Sequence, residues 1–377
     1  MPVMQGAVAV GEYSVPISVI LSVLGLLVGI GLVVSLALTM GLSSYRYLKA
    51  TQRSQVRSDV QNELLSRAFA PEPKWDEWVP TLSKTEQSVA TELLAEYLRE
   101  LDGSEADSLK QLGVALGIPD EARADLERGH TFVRLQALTW LIRLDDPDPY
   151  YAASYEPTTQ AERAAVARLL FQTGQLDTPA AGVELLLDGA TTEFSVFGQD
   201  TLYRLAREAP DAMFALAANR YEAWSDALLA QVLLVHGQLG TGIRTADVSW
   251  LTSNLEGDDE GVRAAAASAL GSFGWRPELR DSRFLSRATA DSSPRVRGAV
   301  YEMLGSWGDQ EAVTILLYAL VSEEDPRALV RGTNALVQRQ DQIGRSGPAI
   351  LGAAWEWSSE HASYDSVARG HTGATQG

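Results

Sequence analysis

Cysteine is absent from this 377-residue chain, which excludes a disulfide framework and a thiolate metal site. Lysine is nearly absent as well. Lys49, Lys74, Lys84 and Lys110 are the only four, so 27 of the 31 basic residues are arginine. Against them stand 49 carboxylates, for a formal net charge of −18. A large negative charge keeps a protein soluble in strong salt. The balance points to a salt-adapted, haloarchaeal source, or to a high-GC genome in which arginine replaces lysine. It also argues against nucleic acid as a partner, because that needs a basic footprint.

Histidine is scarce too. His130, His236, His361 and His371 are the four, and none shares helical ligand spacing with another. No catalytic residue, cofactor site or metal site is expected from them. Gly237-Gln238-Leu239-Gly240-Thr241-Gly242 lacks the Lys-Ser/Thr of a phosphate loop and reads as a connection between helices. No Gly-x-Ser-x-Gly elbow occurs.

What the chain does contain is one long uncharged run and a repeat. Ile17 to Leu42 holds 26 residues without a charge, enough to cross a bilayer with some tilt. Residues 1–16 form a short leader without Lys or Arg, whereas Arg46, Lys49, Arg53 and Arg57 follow the run. The positive-inside bias places the N-terminus outside the cell membrane and the C-terminal part in the cytoplasm. Ser18, Ser22, Gly25 and Gly29 make a small-residue stripe suited to a transmembrane helix partner or a homodimer. Residues 17–57 are expected to meet membrane lipid, with the basic start of a stalk in the headgroup layer. The juxtamembrane stalk and linker cover 43–80. Pro71 and Pro73 end the helix, and Trp75 and Trp78 lie in an extended piece packed on the next helix. Ser83-Lys84-Thr85-Glu86 has capping-box spacing and predicts a helix over 83–101.

The repeat is clearest at Val262–Gly274, which returns 34 residues later at Val296–Gly308 with seven of 13 positions identical. Weaker copies start near 133, 162, 196, 228 and 330; the arginine is missing around Val196 and Leu228. Each copy has a short apolar helix, a turn with Asp and often Pro, and an alanine-rich second helix ending at glycine. The expectation is an all-α fold: a single transmembrane helix plus a right-handed α-solenoid of about seven helix pairs over 81–357. A disordered tail is expected over 358–377.

The carriers of family likeness are Asp258, Val262, Arg263, Ala266, Leu270, Gly271 and Gly274, repeated as Asp291, Val296, Arg297, Leu304, Gly305 and Gly308. On these residues the chain resembles HEAT repeats, especially the short class seen in bilin-lyase-like proteins. The resemblance implies an armadillo-like surface that binds a protein partner, and a ladder between repeats in which Asp258, Asp291 and Asp325 meet Arg263, Arg297 and Arg331. It implies a scaffold or adaptor rather than an enzyme; the alternative is a HEAT-fold enzyme or subunit of the bilin-lyase or hydroxylase kind. The hydroxylases' His-Glu dipeptides are missing.

Overall fold

A computed structural model describes residues 55–362, apart from 102, 147–154, 240–246, 274–275, 277–278, 280–281 and 344–345. It also describes 7–10, 13–16 and the single positions 26, 32, 35 and 40. The chain divides into two units, Met1–Ile118 and Pro119–Gly377.

In the first unit, β1 (Ala7–Val10) and β2 (Tyr13–Pro16) pair antiparallel, with Val10 opposite Tyr13 and Ala7 opposite Pro16. The leader thus contains a small hairpin, whose Val8, Val10, Tyr13 and Val15 are residue types that suit a strand. The run 17–42 and its stripe Ser18, Ser22, Gly25 and Gly29 lie outside the described residues, except that Leu26, Leu32, Ser35 and Met40 are each helical. No helix among the described residues is long and apolar enough to cross a membrane.

Helix α1 covers 55–68 and stops before Pro71. It is not a free stalk. Val60, Leu64 and Ala68 are buried, and Arg57 pairs with Glu96 at 2.5 Å on α3 (Lys84–Tyr97). Trp75 and Trp78 lie not in an extended piece but in α2 (Trp75–Trp78), which continues as a 3-10 turn, Val79–Thr81. Both are buried, and Trp75 donates through Nε1 to the Ser108 carbonyl of α4 (Ser104–Ala115) at 2.9 Å. The capping box is present: Ser83 accepts from the Glu86 amide and Glu86 from the Ser83 amide.

In the second unit the described residues form only helices and turns. In chain order they are α5 (Ile118–Arg128), α6 (Thr131–Leu144), α7 (Gln160–Gln172), α8 (Pro179–Leu187), α9 (Val196–Glu208), α10 (Pro210–Arg220) and α11 (Asp226–Leu239). Then follow α12 (Ser249–Leu255), α13 (Glu260–Ser272), α14 (Ser282–Thr289), α15 (Pro294–Trp307), α16 (Gln310–Val321) and α17 (Pro326–Val337). Two short helices, α18 (Gln340–Ile343) and α19 (Ser346–Leu351), precede α20 at 353–362. Ser358, expected to open a disordered tail, is buried on α20; residues 363–377 lie outside the described residues.

Helices α6, α7, α9, α11, α13, α15 and α17 are the second helices of the repeats, and each packs on the next. This repeat-like packing fits an α-solenoid. Small residues set how closely the helices approach. A Cβ on Gly237 would stand 3.1 Å from the Ser268 backbone, on Gly271 3.3 Å from Met303 Cα, and on Gly305 2.6 Å from Ala335 Cβ. These three glycines are 34 residues apart. Gly237, expected in a connection between helices, lies with the other two inside a helix, and the role of all three is close contact. The stop of α15 is Gly308, at φ 64°. Tryptophan adds a bolt between repeats: Trp307 donates through Nε1 to the Leu270 carbonyl at 3.0 Å.

His236 on α11 is also core. It stacks edge-on against Phe214 and Trp250, and burial pushes its imidazole down to about 4, so it is neutral at pH 7. Gly305→Ala is expected to lower stability by about 1–3 kcal/mol through overpacking against Ala335, read as a lower urea midpoint at unchanged m-value.

Candidate functional site

Seven second helices start in one register. The amide four residues past each N-cap donates to the cap carbonyl: 134 to 130, 163 to 159, 199 to 195, 229 to 225, 263 to 259, 297 to 293 and 329 to 325. The residues at this fourth position are Arg134, Arg163, Gln199, Leu229, Arg263, Arg297 and Leu329.

Three of the four arginines do the same thing. Arg263 grips Asp291 of the following turn through Nε and Nη2 at 2.8 and 3.1 Å, while Nη1 donates to the Asp258 carbonyl of its own turn at 2.7 Å. Arg297 holds Glu323 at 2.8 and 2.6 Å and donates to the Asp291 carbonyl at 2.9 Å. Arg134 holds Glu162 at 3.0 and 2.9 Å and donates to the Gly129 carbonyl at 3.3 Å. A planar fork is suited to this double duty, since one edge fits a carboxylate and the remaining nitrogen reaches a carbonyl.

The carboxylates are well buried. Glu162 is fully buried; burial pushes its pKa up, but hydrogen bonds from Thr158 and Arg134 outweigh that and hold it below the usual range. Glu323 is held down to about 2, first by Arg297, against the opposing effect of burial, with a further hydrogen bond from Tyr301 at 2.7 Å.

The expected ladder residues are thus distributed differently from the resemblance. Asp258 contributes its backbone carbonyl, not its carboxylate. Asp291 is the acceptor for Arg263. Asp325 caps α17, accepting from the Arg327 and Ala328 amides, and Glu323 takes the place expected for it on Arg297. Arg331 sits two residues beyond the fourth position, which is occupied by Leu329. It turns back to Glu302 on α15, at 2.8 Å from Nε. Sequence identity aligned Val330-Arg331 with Val296-Arg297; the cap at Asp325 sets the actual phase.

A cleft of about 530 Å³ opens beside the Arg263–Asp291 rung, over Leu255, Phe284 and Ala288. Its guanidiniums are engaged, Arg263 by Asp291 and Arg287 by Glu256.

The ladder stops at Gln199 and Leu229, and there the wall of second helices changes character. Ser195 caps α9 and accepts from the Gly198 amide. Gly198 therefore holds the buried position that Val262 fills on α13, and Val196, aligned with Val262 by sequence, is 86% exposed. Phe197 beside it is 42% exposed, with the buried Arg168 guanidinium 5.1 Å from its ring centroid. Arg168 also donates to Thr201 Oγ1 at 3.2 Å and pairs with Asp200. Burial raises the Asp200 pKa, but hydrogen bonds from Arg168 and Arg204 outweigh it and keep it low. In place of an arginine rung, Gln231 on α11 pairs with both the amide and the carbonyl of Phe194, at 2.7 and 2.9 Å. Val196, Gln199, Asp200 and Tyr203 line one face of α9 and, with Val235 and Gln238 of α11, frame a cleft of about 230 Å³. Sequence reasoning marked this stretch only as the place where the arginine disappears; the exposed Val196–Phe197 pair was legible once Ser195 was taken as the cap.

No group of three or more His, Asp or Glu residues poised to hold a metal occurs among the described residues. No protein-family model matches the chain, and no curated protein matches it.

The Glu323 network carries a pH signature. Its folded pKa lies below the ordinary value of 4.5, so its contribution is complete above that pH and is lost as pH falls toward about 2. Glu323→Gln is expected to cost about 2–4 kcal/mol at pH 7 and to flatten the loss of stability below pH 4.5 in urea titrations.

Proposed function

We propose that this chain is a membrane-anchored scaffold. A span over 17–42 holds a HEAT-like, right-handed solenoid at the cytoplasmic face, N-terminus outside, and a protein partner docks on the wall of second helices at α9 and α11. The observation that carries the docking reading is the Val196–Phe197 pair, two large apolar side chains exposed beside a cleft where the ladder is interrupted. Apolar side chains clustered at a polar-rimmed cleft are a recurrent feature of interaction sites. On α13 the position of Val196 is taken by polar Glu260, and there the fourth position joins repeats through Arg263.

The anchor rests on the uncharged run and on the basic residues that follow it.

Affinity capture of the full chain from native membranes tests the reading. The Val196→Asp/Phe197→Asp double variant is expected to keep the wild-type melting curve and to lose the co-purifying protein. Recovery of the same protein set with both chains contradicts the docking surface, and removal of the repeats by protease added to intact cells contradicts the topology.

A further inference from the structure

Arg163 occupies the ladder position of α7 yet holds nothing. Its side chain makes no hydrogen bond or ion pair among the described residues, and its Nε is buried without a partner. The other three ladder arginines each bind a carboxylate ahead and a carbonyl of their own turn.

Two features of the fold leave this rung empty. In its own turn Arg163 donates to no carbonyl, while the neighbouring Glu162 accepts from the Thr158 and Thr159 amides at 2.7 and 3.2 Å. In the turn ahead neither Asp188 nor Glu193 bonds to the guanidinium, and Asp188 pairs instead with Arg220 at 3.7 Å. Arg134 and Arg263 find Glu162 and Asp291 28 residues on. The residue 28 beyond Arg163 is Thr191. The guanidinium instead faces Gly189, where an added Cβ would lie 3.9 Å from both terminal nitrogens. Leaving a buried donor unpaired is costly, and a charged donor more so.

We propose that Arg163 is a carboxylate-binding site, filled by an Asp or Glu side chain of the docked partner in the manner in which Glu162, Asp291 and Glu323 fill the other rungs. That the carboxylate comes from a partner rests on the scaffold reading; the binding site itself does not. The 188–195 turn that Arg163 faces leads directly into Val196 and Phe197, so an acidic residue next to an apolar one matches both features. The chain's net charge of −18 opposes an acidic partner at long range. Salt shortens that repulsion, from about 10 Å at 0.1 M to about 3 Å at 1 M, while a forked contact persists at contact distance.

The test uses the full chain in detergent micelles, with tryptophan fluorescence melts in sodium acetate and in sodium chloride at equal ionic strength. Acetate is expected to raise the wild-type midpoint by about 1–2 °C over chloride, with no such difference in Arg163→Gln. Thr191→Asp is expected to start about 2 °C higher than wild type, because its own carboxylate closes the rung, and to lose the acetate response. Equal midpoints in the two salts, an acetate response surviving in Arg163→Gln, or no gain in Thr191→Asp each overturn the site; Arg163 is then only hydrated. If acetate acts on Arg163 but membrane capture is unchanged in Arg163→Gln, the partner as source is overturned while the site stands. Loss of capture in the Val196→Asp/Phe197→Asp variant leaves the acetate result untouched, so the two readings fail separately.

Discussion

Each second helix of the Pro119–Gly377 unit starts in the same register, and on α6, α13 and α15 the arginine at its fourth position ties two turns together. Its fork closes on the carboxylate of the turn ahead while its remaining nitrogen holds a carbonyl of the turn behind. Neither half works without the phase set by the helix cap, since two residues are enough to send Arg331 backward to Glu302. The rest of the wall depends on that phase. It brings the 34-residue series Gly237, Gly271 and Gly305 against the next helix at the points where no side chain fits, and it aims Trp307 at the Leu270 carbonyl.

The two kinds of contact are complementary. Glycine and alanine at the helix crossings allow close approach but bring little specificity, because small side chains interlock weakly. The arginine rungs, at the turn edge, are directional and demand one register. Where the rungs lapse, at Gln199 and Leu229, the register is kept by Gln231 on the Phe194 backbone and by the Ser225 amide on the Thr191 carbonyl at 3.1 Å. These substitutes use backbone groups and leave α9 free of a ladder side chain. The exposed Val196 and Phe197 and the unfilled Arg163 flank that stretch, which is why the proposed docking surface and the proposed carboxylate site fall together.

The helical repeat was legible in the sequence because its signal is local and recurrent. Val262–Gly274 and its copy specify two turns and two helices, and the seven second helices fall at the expected starts. The Ser83 capping box and the buried Trp75 and Trp78 were equally readable. What misled was identity without a cap. Val330-Arg331 and Val196 both look like copies of Val262-Arg263 or its first member, yet Asp325 and Ser195 start their helices two residues out of that alignment. The partner of Arg297 was missed for a related reason. Asp325 has the expected residue type, but the Pro326 that follows it makes it a helix cap, and Glu323 two residues earlier reaches the guanidinium. The empty rung at Arg163 was beyond sequence reading, since Asp188 and Glu193 both lie in the turn ahead and only the fold shows that neither reaches the guanidinium.

A double-mutant cycle on Arg263→Met and Asp291→Asn, by urea unfolding, tests the ladder most directly. The account predicts a coupling of about 1–3 kcal/mol between two residues 28 apart in sequence, because both side chains are largely shielded and the contact is forked. Additive single effects would contradict it, and the stack would then rest on its small-residue contacts alone.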